Sequence, residues 1–473
     1  IYVFQHPPSD LKPVAGILTV SEGNMVSHVQ LLARNLGIPN AVLSIQNMGE
    51  LKKYAGKKVF YAVSNRGTVI MKPESDMSET EKNLFVVKTR SEERITVPIE
   101  RMDLSQNTVL NMRQVNAASS GKICGPKAAN LGQLKQIFPD HVVEGLVLPF
   151  GVFREHMNQT IPGKSQTYWQ FLNQTFEKAE EMKKGGKGET EIETYVLGQL
   201  EILRGEIKKM PLLPSFVTDL ENKFISVFGK KTGQVPVFLR SDTNMEDLKD
   251  FTGAGLNLTI FNVVDREKII QGIKDVWASP YTERSFKWRQ RYLLNPENVF
   301  PSILIIPSVD VEYSGVMITK GITSGNDRDI TVAFSRGAGG AVDGQAAETY
   351  LLAEEGKNSL LSPAREPSYR RLPVTGGSKM IYASFEQPIL NEQNLKDLRT
   401  MAQEIRKEIP KATGEEGDGP YDVELGFTND KIWLFQIRPF VENKNATSSN
   451  YLESISPTID GNKKIDLNYT LSF

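Results

Sequence analysis

Hydrophobic positions along this chain recur at two periods. Strand-like runs cover residues 1–4 and 15–20, helical spacing follows over 26–36, and further strands are predicted at 58–62 and 68–71, around the turn Ser64-Asn65-Arg66-Gly67. Residues 1–75 therefore read as a small α/β unit. From residue 72 to 121 the pattern turns polar, with a mixed acidic and basic run over 90–101. Residues 76–121 are assigned as a linker with some local strand, and residues 72–121 are the candidate hinge region. One large mixed unit is predicted over 122–440, interrupted by the Lys- and Gly-rich run 183–188, which reads as a solvated loop between helices. Residues 441–473 read as a tail, with one docked strand near Ile465-Asp466-Leu467-Asn468-Tyr469.

The most informative alternation closes the large unit. Asp422-Val423-Glu424-Leu425-Gly426-Phe427 and Ile432-Trp433-Leu434-Phe435-Gln436-Ile437-Arg438 flank Thr428-Asn429-Asp430-Lys431, which predicts a hairpin. With the turn centred on Asp430, Glu424 stands opposite Gln436 and Asp422 opposite Arg438. Those four side chains share one face, and Val423, Leu425, Trp433, Phe435 and Ile437 share the other. A carboxylate beside an amide oxygen suits a hard cation such as Mg²⁺, and an adjacent arginine suits the phosphates which that cation bridges. The same pattern also fits a half-exposed hairpin with a cross-strand Asp–Arg pair.

Bulk composition narrows the partners. At 473 residues the chain has room for about two to four domains. Its 56 basic and 57 acidic side chains leave a net charge of -1, so no nucleic-acid partner is implied. No apolar run approaches the roughly 18 residues that span a bilayer, and no membrane partner is expected. The single cysteine, Cys124, excludes an internal disulfide framework and fits a reducing compartment such as the cytoplasm, as a packed thiol rather than a reactive one. The chain opens on a strand without a methionine and reads as a fragment of something longer, so any upstream targeting segment is out of view.

Three further clusters carry candidate chemistry. In Thr19-Val20-Ser21-Glu22-Gly23-Asn24-Met25-Val26-Ser27-His28 an imidazole follows a glycine turn and a serine suited to cap a helix, and Gly37-Ile38-Pro39 ends that helix. A helix N-terminus favours an anion such as a phosphoryl group, and a capping or surface histidine fits the same residues. Gly125-Pro126-Lys127-Ala128-Ala129-Asn130-Leu131-Gly132 sets a lysine in a small-residue turn without P-loop spacing, so a surface turn also fits. Arg240 ends an apolar strand and enters Ser241-Asp242-Thr243-Asn244-Met245-Glu246-Asp247, followed by Phe251-Thr252-Gly253-Ala254-Gly255-Leu256. A phosphate clamp is its natural use, unless it pairs with Asp242 or Glu246.

Taken in order, these clusters, with Tyr313-Ser314-Gly315-Val316-Met317-Ile318-Thr319 between them, resemble the pyruvate phosphate dikinase and phosphoenolpyruvate synthase superfamily. The stretch Ser27-His28, Ala33-Arg34 and Gly37-Ile38-Pro39 is similar to its swivelling phosphohistidine domain. The resemblance implies an α/β and α+β multidomain chain: a small swivelling β/β/α phosphohistidine domain, N-terminally truncated, then an ATP-grasp nucleotide-binding domain. It implies His28 as phosphoryl carrier, Lys127 and Arg240 on ATP phosphates, and Glu424 and Gln436 on Mg²⁺. It further implies Arg438 on the transferring phosphoryl group and Ile305-Ile306-Pro307-Ser308-Val309 lining adenine through its backbone. One ATP would become AMP, passing a pyrophosphoryl group to His28, its outer phosphate to water or phosphate, and the remainder to an acceptor.

Three departures bear on activity: Pro126 stands where glycine is usual, Ile306 where glutamine is common, and Gly340 where a Gly-Leu-Gly-Glu turn carries glutamate; Asn24, where paired glycines are usual, leaves its turn possible but less free. The histidine unit precedes the ATP unit, as in glucan, water dikinases, which points to a glucan or other hydroxyl as acceptor. An acceptor-binding domain is expected upstream or on another protein. Two alternatives stay open: a piece of a pyruvate- or phosphoenolpyruvate-interconverting enzyme, and a nucleotide-binding regulatory module with impaired catalysis.

Overall fold

The computed structural model describes residues 1–6, 14–64, 66–85, 96–246, 258–414, 417, 419–442 and 449–458, and the side chains of His28, Leu32, Asn35, Ile45 and Tyr292 lie outside the description. The strand expected at 465–469 and the Gly-rich run at 251–256 likewise lie outside the described residues.

The first unit opens with β1 (Tyr2–Phe4), β2 (Ile17–Thr19) and β3 (Asn40–Val42), a parallel sheet in that order. Parallel neighbours need a crossover, and the one between β2 and β3 carries α1 (His28–Asn35). Val29 and Ala33 of α1 bury against Ile17, which gives this sheet a small core of its own. After α2 (Ile45–Leu51) comes the antiparallel ribbon β4 (Val59–Val63) and β5 (Val69–Pro73), then α3 (Glu79–Leu84). Ser78 and Glu81 cap α3 reciprocally, each side chain accepting from the other's backbone N–H.

The second unit holds two sheets. A five-stranded one runs β6 (Leu110–Asn111), β7 (Leu146–Leu148), β10 (Pro301–Pro307), β8 (Val237–Thr243), β9 (Thr259–Val263) in spatial order. A six-stranded one runs β14 (Asn358–Ser362), β13 (Glu348–Leu352), β12 (Ile330–Arg336), β11 (Tyr313–Ile318), β17 (Tyr421–Thr428), β18 (Lys431–Pro439). A separate ribbon pairs β15 (Ser368–Arg371) with β16 (Lys379–Tyr382). The helices are α4 (Pro126–Ile137), α5 (Phe150–Met157), α6 (Tyr168–Lys184), α7 (Glu189–Lys209), α8 (Pro214–Phe228), α9 (Arg266–Ala278), α10 (Glu283–Tyr292) and α11 (Glu392–Thr413). The run 183–188 is exposed where α6 gives way to α7, as its composition predicts.

Strand alternation sets the layers. Leu146, Leu148, Ile303, Ile305, Val237 and Leu239 face a helical core that includes Phe153, Leu200, Phe216 and Trp277. The intervening Val147, Leu304 and Ile306 face a second core, shared with Leu131 of α4, Leu398 of α11 and Val423, Leu425 and Leu434 of the six-stranded sheet. The five-stranded sheet is thus covered on both faces, and its second face looks toward the other sheet.

One sequence expectation needs correction. The stretch assigned as linker, 76–121, is structured over much of its length: Val97 and Val109 are buried in the helical core, Leu110, Met112 and Val115 in the second, and β6 extends the five-stranded sheet. Apolar side chains at these spacings were enough to fold a polar-looking segment into the second unit. The described part of the tail is a helix, α12 (Asn450–Ser454), which returns to the first unit. Tyr451 donates to Glu81 Oε1 at 2.6 Å, its ring meets Phe60 edge-on at 5.4 Å, and Arg66 donates to the Pro457 carbonyl at 3.1 Å. Lys72, then Tyr451 and the Ser78 backbone, hold the Glu81 carboxyl down at about 2.

His156 of α5 offers a pH test of the helical layer. The imidazole is fully buried, with Nδ1 2.8 Å from the Val152 carbonyl and Nε2 accepting from Leu213 N–H at 3.2 Å, so the Nδ1–H tautomer is the one that satisfies both. Burial pushes its pKa down to about 4. Its contribution to stability is present above the unfolded value of roughly 6.5 and is lost as pH falls toward 4, to a limit of about 3 kcal/mol. We expect His156→Gln to melt lower than wild type at pH 7.5 and to lose less with acid across that window. Parallel melting curves against pH would assign the acid sensitivity to other groups.

Candidate functional site

Alternation along β8 aims its residues. Leu239 and Ser241 point to one side, Phe238, Arg240 and Asp242 to the other, toward the six-stranded sheet. Arg240, whose side chain is 12% exposed, crosses to the β17–β18 hairpin. It donates to Gln436 Oε1 at 2.6 Å and to the Phe435 carbonyl at 2.8 Å, and lies 3.4 Å from Glu424 Oε2. Its partners are therefore on the other sheet, and neither Asp242 nor Glu246 is its counter-ion.

The hairpin places those partners by a route the alternation alone did not predict. Asn429 and Asp430 form a two-residue turn, both at positive φ, 50° and 59°. Counting outward from Thr428 opposite Lys431, Glu424 would meet Phe435. A one-residue bulge shifts the register between Glu424 and Leu425, and Glu424 pairs with Gln436 and Asp422 with Arg438 after all. The bulge also corrects the expected apolar face: Ile432 and Leu434 enter the core with Val423 and Leu425, while Trp433 and Phe435 are only half-buried.

Beside them, Arg438 donates to Asp422 Oδ2 through Nε at 2.9 Å and Nη2 at 2.7 Å. Asp422 Oδ1 is buried with no hydrogen-bond partner among the described residues. This orphaned oxygen, with the Glu424 carboxylate and Gln436 Oε1 already turned toward a cation, is a donor set of the hard type that fits Mg²⁺. Among the described residues no group of three or more His, Cys, Asp or Glu gathers to hold a metal alone, so water or phosphate oxygens would complete the shell.

Lys127 is held at the start of α4. Gly125 is the N-cap and offers no side chain, and Pro126 takes the first helical position, where its missing N–H costs nothing. Asp242 supplies the cap from β8, accepting from Lys127 N–H and Ala128 N–H at 2.9 Å each. Lys127 Nζ donates to the Ser241 carbonyl at 2.9 Å and pairs with Glu246. Burial, then the neighbouring Glu246, push the Asp242 carboxyl up to about 7, against the pull of Lys127 and the two N–H groups. Sequence reasoning weighed Asp242 only as a partner for Arg240. A helix start at Gly-Pro, with no Ser, Thr, Asp or Asn to cap it, was the available signal that an acceptor comes from elsewhere.

The remaining expected residues fall at the edges. Ile306 is buried in the second core, which withholds its side chain from a ligand. Ser308 N–H is committed to the Pro236 carbonyl at 2.8 Å, and its buried Oγ has no partner among the described residues. A Cβ on Gly340 would lie 2.2 Å from Gln345 Oε1 and 2.5 Å from Ser335 Oγ, so a side chain there requires Gln345 to move. His28 begins α1, where Ser27 Oγ accepts from Gln30 N–H at 3.4 Å, and its own side chain is outside the description.

The first unit is brought to this site through the sheet. Val316 pairs with Glu424 and Ile318 with Asp422, so all four lie on one face of the six-stranded sheet. Val316, Ile318 and Ala333 are buried against Val26 and Leu31, which flank His28. The face bearing Glu424, Gln436, Asp422 and Arg438 is therefore also the face on which the His28 helix lies.

Residues 121–457 match the family described as pyruvate phosphate dikinase, AMP/ATP-binding domain. Over 272 residues the chain is 25% identical to the phosphoenolpyruvate synthase of Pyrococcus furiosus, covering 54% of this chain and 32% of that protein. Over 322 residues it is 27% identical to the rifampicin phosphotransferase of Bacillus cereus, covering 67% and 34%. The rifampicin phosphotransferase of a Streptomyces species is 23% identical over 340 residues, covering 71% and 36%. The chain thus spans about a third of the length of these relatives. Among solved structures, D-alanine–D-alanine ligase from Helicobacter pylori aligns with 46% of this chain and 44% of its own at 11% identity and a TM-score of 0.21, a likeness too slight to carry weight.

Gly125→Ala tests the seat of Lys127. The added Cβ would lie 2.2 Å from Asp242 Oδ1, so the carboxylate must move and both N–H groups lose their acceptor. We expect a loss of about 1–3 kcal/mol in stability and, by calorimetry, ATP affinity reduced at least roughly tenfold. Unchanged melting and affinity would show that Asp242 does not set the position of Lys127.

Proposed function

Because this chain belongs to the pyruvate phosphate dikinase AMP/ATP-binding family, we propose that it works as a dikinase, passing a phosphoryl group from ATP through His28 to an acceptor and forming AMP. The observation that carries this reading is the shared sheet face: the carboxylate, amide and guanidinium groups and the docked His28 helix lie on one side of β11 and β17. The unit order, histidine before ATP, supports a hydroxyl acceptor of the glucan kind. Relatives that match this ATP unit are named for phosphoenolpyruvate and for rifampicin, which supports an acceptor chosen outside it.

In the proposed reaction an imidazole nitrogen of His28 attacks the β-phosphorus of ATP, and the bond to the bridging oxygen breaks as AMP leaves. The outer phosphoryl of the pyrophosphorylated histidine passes to water or phosphate, and the inner one to the acceptor. Mg²⁺, held by Glu424 and Gln436, would supply charge neutralisation on the phosphates. Arg240 exchanges the Gln436 oxygen for phosphate oxygens, Lys127 exchanges Glu246 likewise, and Arg438, kept planar against Asp422, faces the charge that develops on the moving phosphoryl group. The enclosed Gly340 favours a second reading, a nucleotide-binding module without catalysis.

Incubation with β- and γ-labelled ATP separates the two. We expect acid-labile, base-stable label on the wild type and none on His28→Ala. Arg438→Ala should label about 10²–10³-fold more slowly with ATP affinity changed only a few-fold. ATP binding without any label on the wild type would leave the regulatory module as the better account.

A further inference from the structure

The loop before His28 makes a contact that neither half of the proposed reaction requires. Asn24 is 3% exposed, and its side chain is used on both sides. Oδ1 accepts from Val26 N–H at 3.0 Å and shapes its own turn, while Nδ2 donates to the Ala341 carbonyl at 2.9 Å, on the other unit. Its backbone N–H reaches the Gly344 carbonyl at 3.4 Å.

The receiving loop is built to stay in place. Gly337, Gly339 and Gly344 take positive φ, and Ser314 Oγ donates to the Gly337 carbonyl at 2.7 Å and accepts from Gly339 N–H at 3.0 Å. Gln345 N–H closes the turn on the Gly340 carbonyl at 3.0 Å, and the Gln345 side chain fills the space that a side chain on Gly340 would need. Ala341 is fully buried beneath Val26. Glu22 and Arg365 pair at 2.6 Å on the rim, but both are more than half exposed and add little.

We propose that Asn24 is the positioning residue that seats the histidine unit on the glycine loop of the ATP unit. Asn24 meets this loop at two points, the Ala341 carbonyl through its side chain and the Gly344 carbonyl through its backbone. A glycine at 24 has no side-chain amide to reach the Ala341 carbonyl, and the Gln345 side chain packs where a side chain at 340 would stand. The inference rests on reading His28 as the phosphoryl carrier, because seating matters to the reaction only if His28 must reach ATP.

The test uses the full chain with Asn24→Gly and Asn24→Asp. The aspartate keeps the acceptor for Val26 N–H but loses the donor and sets a carboxylate against the Ala341 carbonyl. Amide hydrogen exchange without nucleotide should rise about fivefold over residues 24–31 and 339–345 in both variants, and stay unchanged in β17 and β18. At saturating ATP the rate of His28 labelling should fall by a similar factor, with KM for ATP unchanged. Unchanged exchange in Asn24→Asp would overturn the contact, and faster exchange with an unchanged labelling rate would overturn the positioning role. A wild type that takes no label overturns the dikinase reading itself, and the exchange result then judges the contact alone.

Discussion

The guanidinium of Arg240 ties the five-stranded sheet to the β17–β18 hairpin of the six-stranded one across a largely apolar layer. It leaves β8 on the face shared with Leu304 and ends among the Gln436 amide, the Phe435 carbonyl and the Glu424 carboxylate. Hydrogen bonds to a charged donor contribute about 1.5–3 kcal/mol, and removing one member of a buried pair costs more, because the other is left without a partner. Here the partners are themselves oxygens crowded on one sheet face. The arginine is the cation that allows Glu424 and Gln436 to sit side by side, and the cleft keeps its shape because that charge is satisfied. In the proposed reaction a second cation arriving with phosphates would take over these oxygens as Arg240 turns to the phosphates, so the exchange keeps opposite charges paired.

Much of this was legible in the residue pattern. The hairpin at 421–439 and the placement of Arg240 on a strand follow from period-two alternation and turn chemistry, whereas the pairs Glu424–Gln436 and Asp422–Arg438, expected from a turn centred on Asp430, arise only through a bulge. The bulge at Phe435 was not legible, because one inserted residue leaves no mark in composition. It exchanges the faces of Trp433 and Leu434 while restoring the pairs beyond it. Equally hidden was Asp242 as the cap of α4, a contact spanning 115 positions along the chain to Lys127. Local patterns report what a segment is prepared to do and stay silent about which distant group will complete it. Residues 97–121 misled for a related reason: a few buried apolar side chains outweigh many exposed polar ones, and averaged polarity cannot tell them apart.

Departures from a family pattern acquire meaning once neighbours are known. Pro126 suits the first position of α4, where its fixed φ and missing N–H are assets. Gly340 is closed in by Gln345 and Ser335, so the loop at 337–344 supports a neighbour with its carbonyls rather than reaching out with a carboxylate. Asn24 lies where those carbonyls point. Asn24 and the loop around Gly340 thus form one local arrangement in space, with Pro126 standing apart at the start of α4.

The docking of α12 on the first unit changes how that unit is attached. The chain leaves it once between α3 and the ATP unit and comes back to it after β18, through Tyr451 on Glu81 and Phe60. A body held at one joint can tumble over a cone of directions, whereas one held at two can turn only about the line through both. Any displacement of the His28 helix from the sheet would therefore have to carry α12 along or part Tyr451 from Glu81 and Phe60.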